Sequence, residues 1–471
     1  MAAGTTMTVH QAYRFALDPT PRQQRALASH AGAARFAFNW GLRLVKQRLE
    51  QRKTDPSVEV PWTLAALRRE WNQAKDNEAP WWRENSKEAY SSGLDGLARG
   101  LKSWSDSRNG ARRGRRVGFP QRKRKRRARE SCRFTTGTIR VEPDRHHVTL
   151  PRLGTIRTHE STRKLARRLE QGTARILAAT ISRNADRWFV SFTVEVQRAQ
   201  GQPRRPASTV GVDVGVRHLA VLSTGEQIHN PRPLERAQRT RRRLQRRWHR
   251  QERQRIACGR TLPSRRQQRT RQRLGRVEAR AASIRRDGLH KLTSRLAREH
   301  GSVVVERLNV SGMLRNRRLA RVIADAGFGQ LRRLLGYKAA WYGARLVEAD
   351  PFYPSSKTCS ACGAVRAKLH LGERVFRCDN PACGLALDRD LNAARNLAKL
   401  VAGLQLGEGE HLEVPTVAGS GPETQNARGA DVRPGLAGRT ARNREAGTGR
   451  RPGETGTAGV QAPAARIADM R

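Results

Sequence analysis

The sequence predicts a multidomain α+β protein: a small β-barrel with an inserted helical bundle, an α/β domain, a four-cysteine zinc ribbon and a disordered C-terminal tail. Three observations lead there. The chain has 471 residues, more than one core holds when domains run to roughly 100–200 residues. Its apolar period switches repeatedly between that of a strand and that of a helix. Four of its six cysteines fall in one cluster with metal-ligand spacing.

The elements follow in order. Met7 to Asp18 reads as a strand, with Val9, Ala12, Phe15 and Leu17 apolar among polar neighbours. Thr20 then Pro21 is a helix start, an N-cap followed by proline at the first helical position. Helical spacing then runs through Leu27, Ala31, Ala34, Phe38, Leu42, Val45 and Leu49. Further helical stretches cover Trp62–Trp71 and Ser86–Trp104. Trp62, Trp71, Trp81, Trp82 and Trp104 read as core of this bundle rather than as base-stacking platforms. Residues 108–130 are too charged to bury and read as a loop or arm that meets nucleic acid or stays solvated. Short alternating segments follow: Ser131–Thr136, Thr138–Val141, His147–Leu150, Ile176–Ser182 and Trp188–Val196. A hairpin turn at Arg183–Arg187 joins the last two, and a helix is expected near Ser161–Gln171. These strands predict a small antiparallel sheet, a barrel, that closes onto the N-terminal strand.

Gly201–Ala207 reads as a polar linker, and Thr209–Asn230 as two strands joined by a turn. Arginine-rich helices are expected at 233–257 and 265–299, a buried strand in Gly301–Val310, a helix over Phe328–Gly343 and a strand over Ala344–Ala349. From Val401 the chain is rich in Gly, Arg, Pro, Ala and Thr without apolar period, and reads as disordered. No internal repeat is evident.

The formal net charge is +53. A chain so charged repels itself unless a polyanion neutralises it, and nucleic acid is the obvious one, because each phosphate contacted releases a counterion. No long apolar run or amphipathic anchor points to a membrane, and the first twenty residues lack a secretory apolar core. A cytoplasmic protein is expected, so a disulfide framework is not. Cys132 and Cys258 read as plain thiols.

Two motifs carry chemistry. Cys359-Ser-Ala-Cys362-Gly and Cys378-Asp-Asn-Pro-Ala-Cys383-Gly suit a tetrahedral zinc ion bound by four thiolates. All four positions would be used, so the site is structural. Glycine after Cys362 and after Cys383 lets the chain turn tightly around the metal. The second motif is a set of acids. Asp213 lies in Val210-Gly-Val-Asp-Val-Gly-Val216, where an acid among valines is costly to bury without a partner. Gly211 and Gly215 permit close approach of a ligand or another backbone. Glu306 ends the apolar run Val303-Val304-Val305. Asp390 sits in Asp388-Arg-Asp-Leu-Asn-Ala-Ala394 at the start of a helical run. Converging carboxylates at strand and helix ends suit Mg²⁺, which keeps several waters and is shared with substrate phosphate. Singly, each acid has a plainer reading: a turn or edge residue for Asp213, a strand-end surface acid for Glu306, a helix cap for Asp388 or Asp390. Their order (an Asp on a hairpin, a Glu on a later strand, an Asp on a late helix) is the layout of an RNase H-like α/β fold.

The chain resembles TnpB proteins, the OrfB-type accessory proteins of bacterial insertion sequences, which are similar to type V CRISPR effector nucleases. The matching pieces are Gly211-Val-Asp-Val-Gly-Val-Arg217, Val305-Glu306-Arg-Leu-Asn309, the lead from Asp350-Pro-Phe-Tyr-Pro-Ser-Ser-Lys-Thr358 into the ribbon, and Asp388-Arg-Asp-Leu-Asn-Ala-Ala-Arg-Asn396. The resemblance spans about residues 1–400. It implies an RNA-guided DNA endonuclease that acts as a monomer, holds a transposon-derived guide RNA, reads a short adjacent motif in double-stranded DNA, and cuts at one RuvC-like site with Asp213, Glu306 and Asp390 on Mg²⁺. It also implies a wedge-like β-barrel at 1–19 and 116–200 with a helical recognition lobe at 20–115. A RuvC-like nuclease would then occupy 201–350 and 385–400, the zinc ribbon 351–384 and the tail 401–471. In relatives the end of the gene can overlap the guide-RNA sequence. Two departures stand out. The second knuckle is CxxxxC where CxxC is commoner, which zinc tolerates. Asp388 and Asp390 compete for the third acid, and Asp390 is chosen because the family ligand directly precedes x-Asn-Ala. The competing class is a non-catalytic nucleic-acid-binding regulator of transposition, which has no reason to keep three such acids together.

Overall fold

The structure, a computed structural model, describes residues 6–404 apart from positions 113, 126 and 371. The tail from 405 onward lies outside the described residues.

Strand β1 (Thr6–Asp18) leads into α1 (Pro21–Thr54). Thr20 caps that helix reciprocally with Gln23, and Pro21 occupies its first turn, as the sequence indicates. α2 (Leu64–Glu78) and α3 (Lys87–Arg108) pack on α1 through Leu67, Trp71, Tyr90, Leu94 and Leu97. Trp71 is buried between Trp40 and Tyr90, while Trp62 stacks on Trp104. Trp81 is the exception, an exposed ring against Phe36.

The arm at 109–130 is not wholly solvated. Phe119 meets Trp104 edge-on, the backbone of Lys123 is held at both ends by the amide of Asn39, and its ammonium lies over the Phe38 ring. Burial pushes the Lys123 ammonium down to about 8. Its aliphatic stem lets a charged residue line an apolar wall, which the charge run alone does not reveal.

Next come β2 (Ser131–Phe134), β3 (Arg140–Val141), β4 (His147–Leu150), β5 (Gly154–Thr158), α4 (Arg163–Glu170), β6 (Ala174–Asn184) and β7 (Arg187–Ala199). With β1 they form a seven-stranded sheet in the order β2-β6-β7-β1-β5-β4-β3. The N-terminal strand is therefore its centre, paired with β7 over most of its length. No ladder between β2 and β3 closes the order into a ring among the described residues. Helices α1 to α3 and this sheet share one hydrophobic core.

The second sheet has the order β10-β9-β8-β11-β12. Strands β8 (Arg205–Asp213), β9 (His218–Leu222) and β10 (Gln227–His229) run antiparallel. The region after the linker thus holds three strands rather than two, and the linker is shorter than expected because β8 already begins at Arg205. Helices α5 (Pro233–Arg236), α6 (Gln238–Ala257) and α7 (Arg265–Glu299) lead to β11 (His300–Glu306), which pairs parallel with β8. Two short helices absent from the sequence reading follow, α8 (Val310–Met313) and α9 (Ala320–Ala326). Asp325 on α9 is buried, accepts from the backbone N–H groups of Leu234 and Glu235, and pairs with Arg285. α10 (Phe328–Tyr342) then returns the chain to β12 (Arg345–Ala349), parallel to β11. The ribbon hairpin β13 (Val375–Arg377) and β14 (Ala386–Asp388) precedes the last helix, α11 (Arg389–Leu404). The expected disorder from Val401 is corrected at its start, since α11 runs four residues further. No helix among the described residues is long and apolar enough to cross a membrane. The described residues form a mixed α/β multidomain fold with two large sheets, each with its own hydrophobic clusters, and the small two-stranded sheet of the ribbon.

Candidate functional site

Side chains alternate faces along a strand, and that alternation positions the first two acids. Val210, Val212, Val303 and Val305 turn to one face of the second sheet, into the core with α7 and α10. Gly211 and Val304 turn to the other, where Val304 packs with Leu397 and Val401 of α11. Asp213 is two residues past Gly211 and Glu306 two past Val304, so both carboxylates share the face that α11 covers. The register pairs Val212 with Val305, which sets Asp213 and Glu306 side by side at the ends of adjacent parallel strands.

α11 reaches this face because Gly211 has no side chain. A Cβ there would lie 1.9 Å from the carbonyl oxygen of Ala394 and 2.7 Å from the nitrogen of Ala398. The helix therefore lies directly on β8 and brings its N-terminus to the acids. Asp388 is its cap: Oδ1 accepts from the backbone N–H of Asp390 at 3.0 Å and of Leu391 at 3.1 Å. Asp390 stands in the first turn, 3.3 Å from the Arg389 guanidinium.

The four acids are one electrostatic unit. Burial holds the Asp213 carboxyl well above its ordinary value of 3.8, and the negative charges of Glu306 and Asp390 add to this. Arg389 opposes the shift, and Asp388 bears on Asp213 less than Asp390 does. Asp213 still keeps part of its surface open to solvent. Only the four cysteines, among the described residues, bring three or more ligand atoms within 4.8 Å of one another. No three of the acids meet that criterion.

The ribbon is fastened to the acids. Glu306 pairs in register with Ala349 at the end of β12. The chain then loops out and returns at Ser355, whose hydroxyl donates to Glu306 Oε1 at 2.5 Å. Asn392 and Asn396 are buried one helical turn apart on α11. The amide of Asn392 donates to the carbonyl of Thr358 and accepts from the N–H of Ser360. That of Asn396 donates to the carbonyls of Ser355 and Thr358. Ser355, Asn392 and Asn396 were not legible as site residues. The asparagines did leave a trace: two poor helix formers four apart in an alanine-rich run.

The predicted metal ribbon is brought together in full. Sγ of Cys359 lies 3.7 Å from that of Cys383, and Sγ of Cys362 3.5 Å from that of Cys378. Four thiolates about 2.3 Å from a tetrahedral zinc stand roughly 3.8 Å apart, so this cluster could hold zinc. Gly363 and Gly384 adopt φ of 79° and 59°, the left-handed turn each knuckle requires. The N–H of Ala364 lowers the Cys362 thiol to about 6, whereas burial and the neighbouring thiols raise those of Cys378 and Cys383. The other two cysteines stand apart: Cys132 is buried, which pushes its thiol far up, and Cys258 is exposed.

Three family descriptions match the chain. "Probable transposase" covers residues 191–317, "Cas12f1-like, TNB domain" covers 328–397, and "Helix-turn-helix domain" covers 7–54. The last segment is here a strand and one uninterrupted helix. The chain is 41% identical to a Mycobacterium tuberculosis H37Rv protein named as a candidate RNA-guided DNA endonuclease, over 96% of this chain and 97% of that one. A protein of Streptomyces pristinaespiralis with the same designation is 35% identical over 84% of this chain and 90% of its own length. For InsQ of Escherichia coli K12 the figures are 29%, 82% and 91%. The structure of a Cas12f1–sgRNA–target DNA complex aligns with a TM-score of 0.42 at 14% identity, covering 83% of this chain and 99% of that one. Identity sustained end to end, with the transposase match lying across the strands of Asp213 and Glu306, establishes that the chain belongs to the TnpB family, the OrfB-type proteins of insertion sequences.

Proposed function

We propose that the chain is a transposon-encoded, RNA-guided DNA endonuclease whose RuvC-like site consists of Asp213, Glu306 and Asp390. The observation that carries this is the side-by-side placing of Asp213 and Glu306 on parallel strands beneath the start of α11. An antiparallel hairpin followed by parallel strands, with a late helix across one face, supports an RNase H-like reading of residues 201–350 and 385–400. In this reading the wedge-like barrel is 1–19 with 116–200, the recognition lobe 20–115 and the zinc ribbon 351–384.

The donor set is all carboxylate oxygen, which fits Mg²⁺. When bound, two such ions supply an activated water and stabilise the leaving 3′ oxygen in phosphodiester hydrolysis. The remaining work belongs to the chain. Gly211 sets the height of α11 above the strands. Asp388 satisfies the first N–H groups of that helix, which leaves Asp390 as the third acid. Ser355 holds the Glu306 carboxylate in one orientation. The asparagine pair fixes the ribbon to the helix that carries Asp390, and zinc on Cys359, Cys362, Cys378 and Cys383 keeps the ribbon folded. The surplus of positive charge suits a guide RNA paired with one strand of a double-stranded DNA target, recognised through shape and backbone.

The test is co-purification with RNA expressed from the gene's own flank, then Mg²⁺-dependent cleavage of a plasmid library with a randomised adjacent motif. Specific cutting is expected, and it should vanish in Asp213→Ala, Glu306→Ala and Asp390→Ala while RNA binding persists. A tight RNA complex that never cuts would replace this reading with that of a non-catalytic regulator.

A further inference from the structure

The loop between β12 and the ribbon begins and ends on Glu306. Ala349 pairs with it in register, and Ser355 donates to its carboxylate. Between these points the backbone is pinned: the N–H of Phe352 donates to Asp350 Oδ1 at 2.8 Å, and the N–H of Tyr353 to the Asp350 carbonyl at 3.1 Å. Tyr353 turns inward, packs with the Val304, Leu397 and Val401 cluster, and donates its hydroxyl to the carbonyl of Asn396. Phe352 turns outward and is 91% exposed, against 66% for Leu262, the next most exposed large apolar side chain among the described residues.

A single exposed apolar side chain needs no explanation by itself. This one differs in being a full aromatic ring, on a loop tied at one end to the backbone and at the other to the carboxylate of one candidate catalytic residue, Glu306. One residue past the rung of Glu306 and Ala349, Arg307 has a side chain 63% exposed, its guanidinium 4.0 Å from the Glu348 carboxylate. A cation for phosphate and a bare ring for an apolar plane, both at the edge of the acids, match the two halves of one nucleotide. The face of a base is available only when that base is unpaired and unstacked, and stacking on it is indifferent to sequence.

We propose that Phe352 is a positioning residue: its ring stacks on an unpaired base of the strand being cut and holds the adjoining phosphate at Asp213, Glu306 and Asp390. This rests on the nuclease reading of those acids.

The experiment uses the full chain with its co-purified guide RNA and two readouts. In an Asp213→Asn background, where no cutting intervenes, 2-aminopurine is placed at successive positions of a single-stranded DNA oligonucleotide. Fluorescence should be quenched at one or two positions, lose that quenching in Phe352→Ala, and regain it in Phe352→Trp. In the active protein, Phe352→Ala should slow single-strand cleavage roughly ten-fold or more, the usual scale for one base–aromatic stack. An abasic residue at the quenched position should slow wild type equally, and the two changes together should cost no more than either alone. Quenching that survives Phe352→Ala, or losses that multiply, would overturn the proposal, as would a loop that captures a protein but leaves DNA unquenched. If the wild-type protein never cuts, the nuclease reading fails; the fluorescence arm still decides whether a base stacks on Phe352.

Discussion

Gly211 and Asp213 sit two residues apart on one strand face and create a shared cost. The missing side chain lets α11 close over the strand, and that closure removes water from a carboxylate flanked by two others. Its raised proton affinity is therefore a stability effect. A carboxyl whose folded-state pKa exceeds its unfolded value favours folding below the unfolded pKa, and that contribution is lost as pH rises through the folded one. With chelator present, the wild-type melting temperature should fall as pH climbs out of the ordinary carboxylate range. Asp213→Asn should flatten that fall and melt higher at neutral pH, while abolishing cleavage. Added Mg²⁺ should raise the melting point of wild type but not of the variant. Parallel melting profiles for the two proteins would show that Asp213 is not the strained acid. The residue itself was legible from the order of the three acids, because alone an acid among valines reads equally as a turn or edge residue. Ser355 was not, because a serine hydroxyl gains its meaning only from the strand end it happens to face.

α11 is the element on which the site depends, and its sequence encodes three jobs on different faces. Ala393, Ala394, Leu397 and Val401 are buried and bed the helix on the sheet. Asp388 and Asp390 occupy its start, and Asn392 and Asn396 clamp the ribbon arm. The helix was legible from its period, but its partner was not: nothing in the local sequence says that an asparagine will meet a carbonyl some 38 to 41 residues away. Asn396 is 2% exposed and its amide serves two carbonyls, so Asn396→Ala takes the donor from the Ser355 carbonyl, while that of Thr358 keeps Asn392, a loss of about 1–3 kcal/mol. Because Ser355 is one of those carbonyls, the variant should release zinc to a chelator faster and lose cleavage, yet keep four intact cysteines. Unchanged zinc release with lost cleavage would place Asn396 in the chemistry instead. The caps separate in the same way. Asp388→Ala removes a helix cap worth about 1 kcal/mol and should weaken cleavage partially, whereas Asp390→Ala should abolish it without lowering the melting point. The reverse pattern would exchange their roles.

At the scale of the whole molecule, charge was the clearest signal in the sequence and the shared core the least. The periods of α1 to α3 were readable, but their burial on the same core as the seven-stranded sheet depends on approaches between distant segments that no local pattern encodes. Charge is different because it is additive. Helix α6 carries nine arginines and one acid, Glu252, which is engaged by Arg255. Arg243, Arg246, Arg250 and Arg253 are exposed and recur at intervals of three and four, which puts them on one face of the helix along about 15 Å. A cationic stripe of that length matches the backbone of a nucleic-acid strand, and its contribution is measurable as counterion release. The logarithm of affinity should fall linearly with the logarithm of salt, and each of Arg243→Gln, Arg246→Gln, Arg250→Gln and Arg253→Gln should reduce the slope by about 1. Those changes should weaken binding to unrelated sequences equally, because phosphate contacts position a strand without reading it. A slope that stays the same through all four would make the stripe merely a solvated face, and would move the phosphate contacts to other basic surfaces such as the arm at 109–130.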